Sequence, residues 1–437
     1  MENKNTIFAL ASAHGVAGVS VFRLSGERAF EVACDIAKFD SVPEVRKAVY
    51  TNIYDVNGLV IDSVIMIFFR NPNSFTGEDV VEVHTHGSRA VISSVLNRLS
   101  QFGEDVRLAE RGEFSRRAFE NGKMDLTEVE GLGDLIDATT EAQRVQAVRQ
   151  LGGGLSDIYN KWREDILVIL ANYEAVIDFS EDDIPEDLQK KADEKISTLM
   201  NSIKSHLNDG KRGQILRDGL SVAIVGNPNV GKSSLFNKML GEEKAIISSI
   251  AGTTRDVVEA DLDIKGYPVS LADTAGIRET LDEIETEGIR RALKRAENAN
   301  LLIWVADDLK EFSTDKFSGN IIKVLNKIDE NPVESVEYDI FKLSIKEENG
   351  FEEFLSYFDK KVVDMMSVSD APLITRERHR IALEKAVEFL NASLLDDFVE
   401  IKSENIRLAA DEIGKVVGSI GIEEILGKIF SGFCIGK

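Results

Sequence analysis

The stretch Gly226-Asn227-Pro228-Asn229-Val230-Gly231-Lys232-Ser233 decides how this chain is read. It matches G-x-x-x-x-G-K-[ST], a pattern that carries meaning only between a strand and a helix. The preceding run Leu220–Val225 is apolar apart from Ser221, as a buried parallel strand is, and Lys232 opens a segment of helical spacing. In that setting the glycines let backbone N–H groups wrap a chain of phosphates, and the helix N-terminus adds favourable partial charge. Lys232 would reach the β- and γ-phosphates and the Ser233 hydroxyl would bind Mg²⁺. Asn229, Val230, Gly231 and Ser234 belong to the same phosphate cradle.

Further short motifs follow in order, at the ends of candidate strands. Asp273-Thr274-Ala275-Gly276 ends the next apolar run, where an Asp can hold the Mg²⁺ shell and a Gly N–H can contact a γ-phosphate. Between the two motifs lie Ser248, Ser249, Ile250 and Ala251, then Gly252-Thr253-Thr254-Arg255-Asp256. Thr254 is placed as a second Mg²⁺ ligand on a mobile switch segment. Asn326-Lys327-Ile328-Asp329 follows another apolar run. A carboxylate accepting from both guanine N1–H and the exocyclic amine separates guanine from adenine, and that role falls to Asp329. Ser344-Ile345-Lys346 is placed to close over the base. Each motif is weak alone; together, in this order, they predict a GTP-hydrolysing domain. The residue after the D-x-x-G motif is Ile277, where a water-orienting Gln is found in Ras-like domains. Residues 279–287 form an acidic segment that either supplies another catalytic device or is a solvated helix face.

Composition bounds the rest. The chain has 437 residues, 52 basic against 76 acidic, for a net charge of −24. That balance argues against a simple basic nucleic-acid binder, because phosphate contacts need Lys and Arg. With 43% apolar residues there is ample material for cores, and seven prolines exclude a Pro-rich array. Two cysteines, Cys34 and Cys434, make no disulfide framework and fit a reducing compartment. No apolar run reaches the ~18–20 residues that span a bilayer. Residues 7–11, followed by Ala11-Ser12-Ala13, imitate a secretion signal, but the apolar core is too short and Glu2 spoils the positive flank. The expectation is a cytoplasmic protein with no membrane contact.

The fold class expected is multidomain α/β. Residues 1–120 read as a small α+β domain with strands near 19–24, 63–69 and 80–84, and a helix over 89–99. Residues 121–214 read as helical, with long stretches over 126–151 and 155–177 broken at Gly152-Gly153-Gly154, and another over 190–207. Residues 215–370 read as a doubly wound sheet, with further strands at 269–272, 301–306, 321–325 and 339–343. Residues 371–437 return to helix and are expected to pack on the first helical block, so the α/β domain is an insertion.

Motifs outside the phosphate-loop domain add a resemblance. They are Asn71-Pro72-Asn73-Ser74-Phe75-Thr76-Gly77-Glu78-Asp79, Gly112-Glu113-Phe114-Ser115-Arg116-Arg117-Ala118-Phe119, Asn121-Gly122-Lys123-Met124-Asp125-Leu126 and the terminal Phe433-Cys434-Ile435-Gly436-Lys437. Over essentially its full length the chain closely resembles the MnmE (TrmE) family of tRNA modification GTPases. The first and last of these motifs are specific to that family. The resemblance implies an N-terminal folate-binding and dimerisation domain, a helical domain made from two chain segments, and an inserted Ras-like G domain. It implies GTP hydrolysis coupled to modification of carbon 5 of the wobble uridine, position 34, of certain tRNAs. The product is a carboxymethylaminomethyl group, made with an FAD-dependent MnmG-type partner in a heterotetramer. A tetrahydrofolate, in its 5-formyl or 5,10-methylene form, supplies the one-carbon unit, and FAD belongs to the partner only.

The resemblance also implies roles for particular residues. Arg23, Glu82 and Lys123 are folate-contacting positions, with Lys437 reaching the same region. The G domain forms a homodimer across the nucleotide and binds K⁺ through Asn229, Ser248, Ile250 and Thr253. A charge supplied in that place is worth roughly 10³–10⁵ in rate. Glu285 is the water-positioning acid, and Arg255 and Arg278 are switch-region cations. Cys434 lies near the folate pocket, where a part in the modification chemistry is open.

Two rival readings remain at this level. A ribosome-assembly or regulatory GTPase without modifying activity predicts an appended basic RNA-binding domain. Instead the tail from 371 carries the acidic residues Asp396, Asp397, Glu400, Asp411 and Glu412 and no basic run. A folate-binding scaffold with a degenerate G domain conflicts with the intact Lys232, Ser233, Thr254, Asp273 and Asp329. His84 and His86 share a strand face in the manner of a metal pair, but no further Cys or His lies near them in sequence.

Overall fold

A computed structural model describes residues 5–13, 15–178, 188–209, 211–242, 244–245, 258–273, 299–313, 317–333, 339–367, 373–418, 426, 429–430 and 432–436. The chain divides into two compact units, residues 1–133 with 414–437, and residues 134–413.

The first unit is built on a six-stranded sheet. Its strands are β1 (Thr6–Leu10), β2 (Ala17–Ser25), β3 (Ala48–Tyr54), β4 (Val60–Phe69), β5 (Val80–Gly87) and β6 (Val106–Leu108), in the order β3-β4-β5-β2-β1-β6. Among the described residues of this sheet, only the β1–β6 pair is parallel. Alternation sorts the side chains. Phe8, Leu10, Phe22, Leu24, Val64, Met66, Phe68, Val81 and Val83 line one face. The helices α1 (Ala29–Ala37) and α2 (Arg89–Leu99) cover that face. Ser88 caps α2 by accepting from the Val91 N–H. The other face presents Arg23 and Glu82, which the register places directly opposite each other. Against it lies α3 (Glu113–Glu120), whose Phe114 is buried with Ile7 and Ala9. The segment that imitated a secretion signal is therefore the fully buried strand β1. The same unit holds the chain's end: Ile435 bridges to Arg111, and a Cβ on Gly436 would lie 2.2 Å from the Leu10 carbonyl.

The next helices are α4 (Leu126–Asp137), α5 (Glu141–Leu151), α6 (Gly154–Asp178), α7 (Leu188–Leu207) and α8 (Arg212–Asp218). The single helical stretch expected over 126–151 is two helices. Thr140 interrupts it by adopting an extended backbone and capping α5 in a reciprocal box with Gln143, an arrangement that satisfies backbone donors at the new helix start.

The second unit contains a seven-stranded sheet of order β13-β12-β11-β7-β10-β9-β8. The strands are β7 (Leu220–Val225), β8 (Lys244–Ala245), β9 (Val258–Ile264), β10 (Tyr267–Asp273), β11 (Leu301–Ala306), β12 (Ile321–Leu325) and β13 (Ile340–Lys342). Five run parallel, and β9 and β8 form an antiparallel extension. Helix α9 (Lys232–Glu242) follows β7, and α10 (Phe351–Met366) follows β13, burying Phe351, Phe354, Phe358 and Val362. Helices α11 (Glu377–Leu395) and α12 (Val399–Val417) follow. Residues entering and leaving the sheet lie side by side. A Cβ on Gly213 would meet the Ile374 carbonyl at 2.4 Å, and Arg217 donates to the Thr375 carbonyl at 2.9 Å. Arg380 of α11 donates to the Leu207 carbonyl at the end of α7, so the later helices do pack on the earlier ones.

Candidate nucleotide and one-carbon sites

Strand β7 lies between β10 and β11, where the sheet order reverses, the place where open α/β sheets hold ligands. The segment leaving β7 turns back on itself before α9. Gly226 has φ +151°, Asn229 +64° and Gly231 +101°. A Cβ at Gly226 would lie 2.0 Å from the Val305 carbonyl, and one at Gly231 would lie 2.2 Å from the Asn326 side-chain nitrogen. The two glycines are thus required by packing as well as by backbone angle. Lys232 is buried, and its ammonium donates to the carbonyls of Gly226 and Asn227 at 3.0 and 2.7 Å, so it lies across the mouth of the loop. Asn229, Ser233 and Ser234 are exposed there, while Val230 is buried beneath. Asp273 is buried at the end of β10, one strand away.

The N-K-x-D motif meets this loop directly. Asn326, buried at the end of β12, donates to the Val230 carbonyl at 2.8 Å and accepts from the Ile345 N–H at 3.4 Å. Lys327 has φ +61° and its ammonium pairs with Asp307 at 3.0 Å. Asp329 is half-buried in the turn that follows. Ser344 pairs with Asn349 in both directions, at 3.0 and 3.1 Å, and its hydroxyl accepts from Glu347 N–H. That tight turn presents Ile345 and Lys346 beside Asn326. Phosphate loop, base-reading motif and closing turn therefore converge at the carboxyl ends of β7, β12 and β13. Ser248, Ser249, Ile250, Ala251, Gly252, Thr253, Thr254, Arg255, Thr274, Ala275, Gly276, Arg278, Glu285 and Lys437 lie outside the described residues.

In the first unit, Arg23 and Glu82 form an ion pair at 3.0 Å, with a second bond from Arg23 Nε at 3.3 Å. The guanidinium lies 4.8 Å from the Phe75 ring centre and 5.7 Å from that of Phe114. Lys123 donates to the Pro72 carbonyl at 2.9 Å, on the loop that carries Phe75. His84 approaches Glu82 at 3.6 Å. His86 pairs instead with Asp62 at 2.8 Å. Burial favours the neutral Asp62, but the His86 N–H, the His86 ring and the Ser63 N–H outweigh it and hold the carboxyl below its usual range. The exposed Cys434 gives its carbonyl to the Gly112 N–H, two residues before Phe114.

Sequence reasoning had no role for Phe75, Glu78, Phe114 or Arg117, although all four fall within motifs that carry the family resemblance. Arg117 is buried, donating to Glu78 at 3.0 Å and to Glu113 at 3.0 Å. Glu113 also accepts two bonds from Arg107, at 2.7 and 2.8 Å. Its burial opposes ionisation, yet Arg107, the Glu110 N–H and Arg117 together hold its carboxyl below the ordinary value.

Comparison with known proteins gives a consistent match. Residues 6–123 fit the family model described as the GTP-binding protein TrmE N-terminus, and residues 126–434 fit the MnmE helical domain. The tRNA modification GTPase MnmE of Rickettsia bellii (strain OSU 85-389) is 44% identical, covering 99% of this chain and 100% of the relative. Its counterpart from Paramagnetospirillum magneticum is 43% identical, covering 99% of each. Among solved structures, the G domain of the T. maritima FeoB iron transporter is 26% identical, covering 34% of this chain and 99% of that one at a TM-score of 0.24.

Proposed function

This chain belongs to the MnmE family of tRNA modification GTPases, and from that premise we propose the chemistry and partners of its two sites. It is a GTPase of tRNA modification, its fold is multidomain α/β, and among the described residues no helix is long and apolar enough to cross a membrane. The proposal is that it works in the cytoplasm with an FAD-dependent MnmG-type protein to build a carboxymethylaminomethyl group on carbon 5 of wobble uridine 34. We assign residues 1–120 to folate binding and dimerisation, 121–214 and 371–437 to one helical domain, and 215–370 to the inserted G domain.

The loop between β7 and α9 suits a triphosphate: it turns tightly, with positive φ at Gly226, Asn229 and Gly231, and leads into the N-terminus of α9. Ser233, exposed at the start of α9, and Asp273, at the end of the neighbouring strand, suit a hard cation that takes oxygen ligands. Ser233 and Thr254 would hold Mg²⁺, which neutralises charge on the β- and γ-phosphates. Asn229 points from the same loop and, with Ser248, Ile250 and Thr253, would hold K⁺ when two G domains meet. Glu285 would position the attacking water, and Arg278 would assist the switch.

The observation that carries the one-carbon reading is the Arg23–Glu82 pair, seated against Phe75 and Phe114, with Ile435 near the chain's end bridging to Arg111 just before the helix that carries Phe114. Glu82, with Arg23 paired beside it, would read the donor pattern of a pterin, and Lys123 and Lys437 would suit an anionic glutamate tail. Tyr50, Leu59, Val60 and Ile65, exposed on β3, β4 and the turn between them, support homodimerisation through this unit. The test is GTP turnover in K⁺ and in Na⁺. Much faster hydrolysis in K⁺, lost in Glu285→Ala with GTP affinity retained, is expected. Equal rates in the two salts would overturn the K⁺ assignment.

A further inference from the structure

Two aromatic walls hold the Arg23 guanidinium, and they come from separate parts of the chain. Phe75 sits in the loop 71–79 and Phe114 in the first turn of α3. Each wall has a carboxylate beside it in sequence, Glu78 for the loop and Glu113 for the helix. Both carboxylates are gripped by the same guanidinium. Arg117 Nη1 lies 3.0 and 3.2 Å from the Glu78 oxygens, and Nη2 lies 3.0 Å from Glu113. The Arg117 side chain is 2% exposed.

The surrounding bonds tie this fork to Arg23's own strand. The Ser25 hydroxyl, two residues from Arg23 on β2 and on the same face, donates to Glu78 at 2.6 Å and lies 2.7 Å from the Thr76 hydroxyl. Thr76, next to Phe75, has its carbonyl held by the Asn121 amide at 2.7 Å. Arg107 closes the far side of Glu113. A planar guanidinium can hold two carboxylates at fixed angles, whereas an ammonium is a point charge that cannot.

We infer that Arg117, acting through Glu78 and Glu113, is the positioning residue that sets Phe75 and Phe114 around Arg23 and so determines how tightly the reduced folate is held. The inference rests on the folate reading of Arg23 and Glu82. Arg117 touches no ligand; its effect is transmitted through the two rings.

A buried ion pair has a purely structural use, and breaking it lowers stability wherever it occurs. A double-mutant cycle separates that use from positioning. Binding of 5-formyltetrahydrofolate to the full-length chain is measured by titration calorimetry for Arg117→Lys and Glu78→Gln, each alone and combined with Phe75→Leu. Each change is expected to raise the Kd roughly tenfold in the wild-type background; once Phe75 is gone, Glu78→Gln should cost less than twofold and Arg117→Lys an intermediate amount, since its second route runs through Glu113 and Phe114. Effects of equal size in both backgrounds, or none in either, would overturn the positioning role while leaving the folate reading standing. If Arg117→Lys fails to fold, the isosteric Glu78→Gln pair decides alone. A wild-type chain that binds no folate, with Arg23→Ala equally silent, would remove the folate reading and this inference together.

Discussion

The Asn326 side-chain amide donates to the Val230 carbonyl at 2.8 Å, buried between the end of β12 and the phosphate loop. This single bond joins the N-K-x-D motif to the loop between β7 and α9, so under the proposed roles one side chain couples base recognition to phosphate geometry. Asn326→Ala leaves a buried carbonyl without its donor, at a cost of about 1–3 kcal/mol. The expected result is a rise of roughly 10–100-fold in the Kd for GTP, given 1.4 kcal/mol per tenfold, with unchanged circular dichroism. Calorimetric titration with GTP checks it, and a Kd within twofold of wild type would show that the bond does not shape the site.

Asp329 gives a sharper chemical test. Its carboxylate is expected to accept from guanine N1–H and from the exocyclic amine, two bonds to a charged acceptor worth about 1.5–3 kcal/mol each. Asp329→Asn exchanges one acceptor oxygen for an NH₂ donor, which faces the guanine amine but matches the carbonyl of xanthine. GTP binding should weaken at least ~10²-fold and xanthosine triphosphate binding should strengthen. Competition between the two nucleotides for a fluorescent analogue reads the ratio. An unchanged preference for GTP would take base reading away from Asp329.

Acid should act on the two units in separate windows. His206, packed edge-on to Trp162 at 5.4 Å and near Tyr159 at 5.9 Å, has its imidazole pushed below the ordinary 6.5. Burial is the main cause; His379 and Arg380 add to it and Asp209 opposes it. A depressed histidine contributes stability that is complete above 6.5 and disappears as pH falls through the lowered value. Glu113 behaves in the same sense from its ordinary 4.5 downward. Thermal unfolding followed from pH 8 to 3 should therefore decline first below 6.5 and again below 4.5. His206→Leu should abolish the first decline and Glu113→Gln should reduce the second, to which other carboxylates held below their ordinary values, Asp62 among them, also contribute. A single decline, unaffected by either change, would contradict both assignments.

How much of this was readable from the residues depends on distance along the chain. Strands β7, β11 and β12 were read at their true bounds because each is a largely apolar run, broken only by Ser221 and Lys323, within the parallel part of the sheet. β9 was missed because its solvent-facing charges, Glu259, Asp261 and Asp263, break the apolar pattern. β1 was missed because five buried residues near the chain start have the composition of a signal core. The phosphate loop and N-K-x-D motif are contiguous peptides whose chemistry is local. The Arg23–Glu82 pair is 59 residues apart and exists only once β2 and β5 are in register. The Arg117 fork was harder still, because a helix bearing Glu and two Arg in one turn reads as a solvated surface until burial is known.

The central claim is that this GTPase serves modification of wobble uridine 34. The direct measurement is mass spectrometry of tRNA nucleosides from cells lacking the gene, complemented with the wild-type chain or with Lys232→Ala. The account predicts loss of carboxymethylaminomethyluridine in the deletion, its return with the wild-type chain, and no return with Lys232→Ala, whose phosphate loop lacks its cation. Unchanged wobble uridines in the deletion strain would contradict it.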